Sequence, residues 1–279
     1  MTIPALRARK SGAKLVCLTA YDAPTGALLD AAGVDVVLVG DSVGNVVLGL
    51  DSTLPVTMDD MLHHVRAVAR GVRRALLVAD MPFMSYQAEP ADALRNAGLL
   101  IKAGAAAVKL EGGRETEPAV RALVASGIPV MGHLGLTPQR VHEFGGYRAQ
   151  GKDAAAAHRI WREARLLDRL GVFAVVLECV PGALAGLITR AVGCPTIGIG
   201  SGPACDGQIL VFHDLVGLSA APPRFAKAYT RGREAFTEAV SGFARDVQSG
   251  AYPDPATAPE LPPAEASALA ERIRLMPEK

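Results

Sequence analysis

Short apolar runs rich in Val, Leu and Ile alternate along the chain with longer amphipathic stretches. Continuous apolarity without a strict alternation of apolar and polar residues is typical of strands that are buried on both faces. An eighth run, Ile209–His213, is compatible with a strand or with a helix. The other seven runs predict strands at Leu15–Thr19, Val36–Val39, Ala75–Ala79, Ala107–Leu110, Pro129–Met131, Ala174–Leu177 and Thr196–Ile199.

The stretches between these runs carry apolar residues at helical spacing. Four of them predict helices over Met58–Gly71, Ala91–Gly104, Glu117–Gly127 and Ala154–Gly171. Glycine, a common helix stop, ends the second and third. Seven or eight β–α units in a row indicate a parallel sheet, either closed or doubly wound. The number of units favours closure, so we predict an α/β fold, a single-domain (β/α)8 TIM-type barrel.

The last part of the sequence has a different composition. Six of the 19 prolines fall within residues 251–279, and residues 264–274 predict a short helix. We therefore divide the chain into a barrel catalytic domain over residues 1–250 and a Pro-rich tail over residues 251–279. We expect the tail to pack on the barrel or on a neighbour without a part in the chemistry.

Composition narrows the possible locations and partners. The 279 residues suffice for one barrel, and the formal net charge of +1 comes without a basic stripe or a polybasic run. We therefore expect neither nucleic acid nor a membrane as a partner. The four cysteines show no CxxC spacing, and no apolar stretch has the length of a signal peptide or a membrane span. These features predict reduced cysteines and a cytoplasmic location.

Polar residues follow the predicted strands at their carboxyl ends. In a barrel these ends converge on the face that holds the active site. Burying unpaired carboxylates is costly, so stability alone does not explain such a set, and we predict a functional cluster. Its members are Asp22, Asp41, Ser42, Asp80, Lys109, Glu111, His133 and Glu178.

The residue types in this cluster indicate its chemistry. Carboxylate oxygens, without a Cys/His pair at zinc spacing, suit Mg²⁺ or a similar divalent ion. Lys109 and Glu111 are two residues apart and so project to the same side of one strand, where the cation is well placed for a substrate carboxylate. For Asp22, a helix N-cap is as good an interpretation as a catalytic role. We interpret His63 and His64 as surface or packing residues.

Two glycine-rich segments imitate nucleotide-binding motifs. Residues 146–153 resemble a P-loop but end in Asp153, where a Ser or Thr would reach the metal. Residues 198–202 lack the last glycine of a dinucleotide fingerprint. We expect tight turns from both, and a mobile lid from residues 142–153.

The sequence resembles the ketopantoate (3-methyl-2-oxobutanoate) hydroxymethyltransferase family over roughly residues 2–252. A set of motifs in the family's order is more specific than any one of them. The matching segments are Leu18-Thr-Ala-Tyr-Asp22, Val39-Gly-Asp-Ser-Val-Gly44, Asp51-Ser-Thr-Leu-Pro-Val-Thr57, Ala79-Asp-Met-Pro-Phe83, Val108-Lys-Leu-Glu-Gly-Gly113, Gly132-His-Leu-Gly-Leu-Thr-Pro-Gln139, Phe144-Gly-Gly-Tyr147, Leu177-Glu-Cys-Val-Pro181 and Asp206-Gly-Gln-Ile-Leu-Val211.

This resemblance implies a (β/α)8 barrel that forms homo-oligomers, commonly decamers. It also implies transfer of a one-carbon unit from 5,10-methylenetetrahydrofolate to 3-methyl-2-oxobutanoate with Mg²⁺ or a similar ion. Ser42 and Lys109 would hold the substrate carboxylate, His133 would lie in the substrate pocket, and Glu178 would be the general base. The implied metal ligands, of which the first two also border the substrate, are Asp41, Asp80 and Glu111.

We consider two other interpretations, against which the Asp51–Thr57 and Gly132–Gln139 segments and the complete set of carboxylates argue. Barrels of the phosphoenolpyruvate mutase/isocitrate lyase type also place Mg²⁺ and a 2-oxo-acid enolate at this face, and would act on another 2-oxo acid. A catalytically silent barrel would lack at least one of the carboxylates, all of which are in place. The sequence departs from the family pattern at Ser201, where Ala is expected, and in its longer Pro-rich tail.

Overall fold

Eight parallel strands close into a barrel in the computed structural model, which describes residues 1–276. Each strand pairs in parallel with its neighbour in the chain, and β8 closes the ring on β1. The predicted (β/α)8 barrel is confirmed. The strands are β1 (Leu15–Thr19), β2 (Val36–Val39), β3 (Leu76–Asp80), β4 (Ala107–Glu111), β5 (Val130–Gly135), β6 (Ala174–Glu178), β7 (Thr196–Ile199) and β8 (Gly207–Leu210).

Helices fill the connections between strands. The helix predicted over Met58–Gly71 has the predicted bounds. A capping box formed by Thr57 and Asp60 begins it. The helices are α1 (Ile3–Arg7), α2 (Ala23–Ala31), α3 (Val43–Val46), α4 (Met58–Gly71), α5 (Pro90–Lys102), α6 (Glu117–Ala125), α7 (Val141–Phe144), α8 (Ala154–Leu170), α9 (Gly182–Ala191), α10 (Phe212–Leu215), α11 (Gly232–Ser249) and α12 (Pro263–Arg274).

Two strands differ from their predictions by more than one residue. β5 is longer than the predicted run because Gly132 and His133, which interrupt the apolar pattern, lie inside the strand. The run Ile209–His213 contains both of the alternatives considered for it: β8 ends at Leu210, and the helical turn α10 begins at Phe212.

The core has two layers. One layer packs the outward side chains of the strands against the helices. The other fills the barrel interior, where inward side chains lie two residues apart on each strand, as in Leu76 and Val78 of β3. Leu6 of α1 belongs to this inner layer. Any residue that continues the two-residue spacing towards the carboxyl end of a strand therefore also points inward.

The residues form two compact units, Met1–Thr230 and a second unit that begins at Arg231. The first contains the whole barrel, and the second contains α11 and α12. The helix predicted over residues 264–274 corresponds to α12, whereas residues 277–279 of the predicted tail lie outside the described part of the chain. The division of the chain at residue 250 stays a prediction. Within residues 1–276, no helix combines the length and apolarity needed to cross a membrane.

Candidate active site

Three strands end in a carboxylate of the polar cluster. Asp80, Glu111 and Glu178 are the last residues of β3, β4 and β6, and each continues the inward side of its strand. The pairing register sets Asp80 beside Lys109 and Glu111 beside His133. Strand register, together with the inward two-residue spacing, thus brings five ionisable side chains into a charged layer at the mouth of the barrel.

These side chains form a chain of close charged contacts. Lys109 Nζ lies 2.7 Å from Asp80 Oδ1 and 3.3 Å from His133 Nδ1. The other side of the imidazole reaches Glu178, with 3.2 Å between His133 Nε2 and Glu178 Oε2, while Glu111 Oε1 is 3.4 Å from Nδ1. Asp80 Oδ1 and His133 Nε2 are buried at these contacts without a well-aligned hydrogen bond, so both can turn to a bound ligand.

Asp41 and Ser42 join the cluster from the turn after β2. The backbone N–H of Asp41 donates to Asp80 Oδ2 at 3.0 Å, and Ser42 Oγ lies 2.8 Å from the hydroxyl of Tyr21. Gly40 makes this approach possible, because a Cβ there would stand 2.8 Å from Ser42 Oγ and 3.3 Å from Asp80 Oδ2. A side chain at this position would crowd both residues. Glycine therefore leaves space beside the carboxylates.

The cluster holds more negative than positive charge. Burial, together with the charges of Asp80 and Glu111, raises the pKa of Asp41 to about 8. Burial also raises the pKa of Asp80, against the opposing effect of Lys109. For His133, burial and Lys109 favour the neutral ring, but the adjacent carboxylates of Glu111 and Glu178 raise its pKa to about 9. Burying several carboxylates together is therefore unfavourable until a further cation neutralises them.

The donor set fits Mg²⁺ that shares its coordination with a substrate. Among residues 1–276, no three His, Cys, Asp or Glu side chains are arranged to hold a metal by themselves. Mg²⁺ usually takes one or two protein carboxylates and completes its octahedron with water and substrate oxygens. Asp80, whose carboxylate accepts from the backbone N–H of Asp41, and the carboxyl group of Asp41 itself offer such oxygens, and Glu111 lies in the same layer.

The structure adds residues that the sequence reasoning did not assign. Gln139 donates from its side chain to Asp41 and from its backbone to Glu111. Tyr86, from the loop after β3, contacts both Glu111 and Gln139, and Tyr21 contacts Ser42. Gln139 was the last residue of a segment that carried the family resemblance. No motif marked Tyr86 in the sequence, because its position at the site depends on how the loop after β3 folds.

Other polar residues singled out in the sequence have structural roles. Asp22 is exposed and caps α2, accepting from Thr25 N at 2.7 Å, which supports the N-cap interpretation. His63 is exposed, and His64 lies 2.7 Å through Nδ1 from the carbonyl oxygen of Tyr21, as expected of surface and packing residues. Ser201 Oγ donates to the carbonyl of Leu177 at 2.8 Å and so ties β6 to the loop after β7.

The glycine-rich segments form turns, and the cysteines are free. Gly145, Gly146 and Gly151 all adopt the left-handed region, and Asp153 caps α8 by accepting from Ala156 N at 2.9 Å. This arrangement is a loop followed by a capped helix, as the turn interpretation predicts. Within the described residues all four cysteines are unpaired, as predicted.

The fold and the cluster together define a class of protein: a (β/α)8-barrel enzyme with a carboxylate-rich site at the carboxyl ends of its strands. Solved structures with the same fold include phosphonopyruvate hydrolase in complex with oxalate and Mg²⁺ (TM-score 0.61, 16% identity, 98% of this chain and 97% of that chain). Another is phosphoenolpyruvate phosphomutase from Streptomyces platensis subsp. rosaceus (TM-score 0.60, 16% identity, 98% and 96% covered). At this identity the likeness shows the fold alone.

Sequence comparison goes further than the fold. A family model described as ketopantoate hydroxymethyltransferase matches residues 1–255. A relative in Pyrobaculum neutrophilum is 58% identical over 238 residues, covering 85% of this chain and 91% of the relative. One in Moorella thermoacetica is 54% identical over 257 residues, covering 91% and 96%. Both are named 3-methyl-2-oxobutanoate hydroxymethyltransferase. The chain belongs to the ketopantoate hydroxymethyltransferase family and is an enzyme of the transferase class.

Proposed function

We propose that this enzyme transfers a hydroxymethyl group from 5,10-methylenetetrahydrofolate to 3-methyl-2-oxobutanoate. The product would be 2-dehydropantoate (ketopantoate), an intermediate of pantothenate and coenzyme A biosynthesis. The observation that carries the proposal is the buried layer of Asp80, Lys109, Glu111 and His133 at the mouth of a barrel in a member of this family. Such a layer suits a small, anionic 2-oxo acid that binds through a divalent cation.

Substrate binding follows from the charges in this layer. Lys109, whose ammonium group already lies against Asp80, and the hydroxyl of Ser42 would hold the substrate carboxylate. Asp41, Asp80 and His133 would border the 2-oxo acid. A magnesium ion held by Asp41 and Asp80, with Glu111 direct or through water, would supply Lewis acidity to the 2-oxo group and so stabilise the enolate.

Glu178 is the proposed general base. Its side chain is 17% exposed whereas that of Glu111 is 2% exposed, so Glu178 is the carboxylate open to a substrate above the layer. His133, whose Nε2 lies 3.2 Å from Glu178 Oε2, would orient this carboxylate towards the C3 proton. The C3 carbon of the enolate would then form a bond to the methylene carbon carried by the folate. Water would supply the hydroxyl of the product as the bond between that carbon and the folate nitrogen breaks, which releases tetrahydrofolate.

The test is product formation from 3-methyl-2-oxobutanoate by chelator-treated protein, with and without methylenetetrahydrofolate and with and without added Mg²⁺. We expect ketopantoate only when both donor and metal are present. The alternative, a phosphoenolpyruvate mutase/isocitrate lyase-type reaction on another 2-oxo acid, needs no folate. Folded protein that binds metal but forms no ketopantoate under any condition would contradict the proposal and favour that alternative.

We further propose a homo-oligomer, a decamer as the resemblance implies, located in the cytoplasm. Helix α11 supports the first part, because an exposed apolar stripe at helical spacing commonly marks a contact between proteins. The four free cysteines support the second, since disulfides are rare in reducing compartments. The stripe consists of Phe236, Val240, Phe243 and Val247.

A further inference from the structure

Gln139 lies on a short 3-10 turn, Pro138–Arg140, directly after β5, and it is 5% exposed. Its side chain and its backbone both reach into the carboxylate layer. We infer that Gln139 is a positioning residue that orients two of the proposed metal-binding carboxylates, Asp41 and Glu111, relative to each other. The inference rests on the proposed function, since it concerns the metal site on which that reaction depends.

One residue ties down one oxygen of each carboxylate. Gln139 Nε2 donates to Asp41 Oδ2 at 2.9 Å, and the Gln139 backbone N–H donates to Glu111 Oε2 at 3.0 Å. Asp41 follows β2 and Glu111 ends β4, so these bonds join two strands that are not neighbours in the barrel. The second oxygen of Asp41 has no hydrogen bond within the described chain, which leaves it to a ligand.

The surrounding bonds fix which way the amide faces. Gln139 Oε1 accepts from the hydroxyl of Tyr86 at 2.8 Å and from Gln87 Nε2 at 3.0 Å. Nε2 also donates to the carbonyl oxygen of Met81 at 3.0 Å. A reversed amide would set Oε1 against the carboxylate of Asp41 and Nε2 against the donor of Gln87. All four hydrogen-bonding positions of the amide are thus used, and the donor has to face Asp41.

A fully satisfied buried network is rigid, and rigidity matters most for Mg²⁺, which demands near-octahedral geometry. Partners that orient metal-binding side chains without touching the metal typically contribute 10- to 100-fold to metal affinity. A different role for Gln139 would be to anchor its turn to the barrel. That role predicts lower stability of the metal-free protein with unchanged metal affinity.

The experiment measures binding of Mn²⁺, a paramagnetic probe, to chelator-treated protein in the presence of 3-methyl-2-oxobutanoate, with Mg²⁺ as competitor. The variants are Gln139→Ala and the nearly isosteric Gln139→Met, which keeps the volume and removes the amide. Gln208→Ala is the matched control, because that exposed amide on β8 donates to the carbonyl of Gly202, away from the carboxylates. Thermal unfolding of the metal-free proteins is recorded in parallel.

We expect both Gln139 variants to bind Mn²⁺ roughly 10- to 100-fold more weakly, and the control to match the wild type. The KM for the 2-oxo acid should rise in the Gln139 variants while the KM for the folate stays the same. A folded Gln139→Met protein with wild-type Mn²⁺ affinity would overturn the inference and leave the proposed function intact. A wild-type protein that binds no Mn²⁺ would overturn both.

Discussion

Glu178 and Asp22 show how differently two acidic residues near strand ends can act. Glu178 is the last residue of β6, continues its inward side and contacts His133. Asp22 lies three residues after the end of β1, outside the strand, and caps α2. The two residues carry the same charge. Their roles differ because Glu178 lies on the inward side of a strand and Asp22 lies beyond the end of one.

Replacing Glu178 by Gln should abolish removal of the C3 proton while leaving the fold intact. The amide keeps the shape but cannot take a proton, so we expect exchange of that proton into deuterated water to slow by about 10²- to 10⁴-fold. NMR of 3-methyl-2-oxobutanoate incubated with Mg²⁺ and enzyme measures the exchange. Asp22→Asn, in which Asn caps a helix equally well, is the control. Exchange at the wild-type rate in Glu178→Gln would show that Glu178 is not the general base.

At the scale of elements, the packing of α2 on α4 depends on one residue without a side chain. A Cβ at Gly71, the last residue of α4, would lie 2.2 Å from the carbonyl oxygen of Ala23 and 2.7 Å from the N–H of Ala27. Both are backbone atoms, which cannot move without shifting α2. The contact at this point is therefore as close as two helix backbones allow.

We expect Gly71→Ala to destabilise the protein by about 2 kcal/mol or more, because overpacking forces backbone shifts. Gly98 in α5 is the matched control: a Cβ there meets nothing within 4 Å. Gly98→Ala should be neutral or stabilise by up to about 1 kcal/mol, since alanine favours helix. Urea unfolding of both variants measures the difference. Equal stabilities for the two variants would contradict the close approach.

Asp206 stabilises the closure of the barrel between its last and first strands. It accepts hydrogen bonds from Lys10 Nζ at 2.8 Å, from Ser11 N at 2.9 Å and from Thr196 N at 2.8 Å. Its backbone carbonyl accepts from the N–H of Leu15, at the start of β1. One carboxylate thus connects the segment before β1 with the starts of β7 and β8.

We expect Asp206→Asn to cost about 2 to 3 kcal/mol of unfolding free energy at pH 7, typical of hydrogen bonds to a buried charge. Burial opposes ionisation, but Lys10 and the backbone donors lower the pKa of Asp206 overall. A lowered folded-state pKa gives stability that is complete above the unfolded pKa and disappears as the pH falls through the folded one. The difference from wild type should therefore stay constant from pH 5 to 8 and shrink below about pH 4. Urea unfolding across this range measures it, with the N-cap variant Asp153→Asn as control.

At the scale of the whole molecule, the charged layer costs stability in the metal-free protein. The pKa of Asp41 is raised to about 8 by burial and by Asp80 and Glu111. A carboxyl whose folded-state pKa lies above its unfolded value destabilises the fold increasingly as the pH rises between the two. A layer that lowers stability and has no packing role is what a binding site is expected to be.

Asp41→Asn should accordingly stabilise the metal-free protein, by about 1 to 2 kcal/mol at pH 8. The gain should be smaller at pH 5, where the wild-type carboxyl is protonated in the fold. Asn keeps an oxygen for the Gln139 amide, so the network survives. Denaturant unfolding with a chelator present tests this, and added Mg²⁺ should stabilise the wild type but not the variant. A variant less stable than wild type at pH 8 would argue that Asp41 is structural.

The barrel was predictable from sequence because strands that are buried on both faces appear as apolar runs, as β2 and β3 show. The acidic residues at strand ends were predictable because each of them follows an apolar run directly. β5 was predicted too short because His133 is polar yet lies within its strand. The roles of Gln139 and Tyr86 needed the structure, since they depend on how two loops fold back over the layer.

The inward spacing of β4 also constrains how genes of this family can change in length. Lys109 and Glu111 face the layer because they are two and four residues after Ala107, which points into the barrel. Insertion or loss of one codon within the strand would turn both side chains outward together and bring Val108 and Leu110 to the site. A point substitution removes one side chain from the site. Such a change of strand register removes both Lys109 and Glu111 in a single event. Length variation among functional descendants should therefore be confined to the connections between strands.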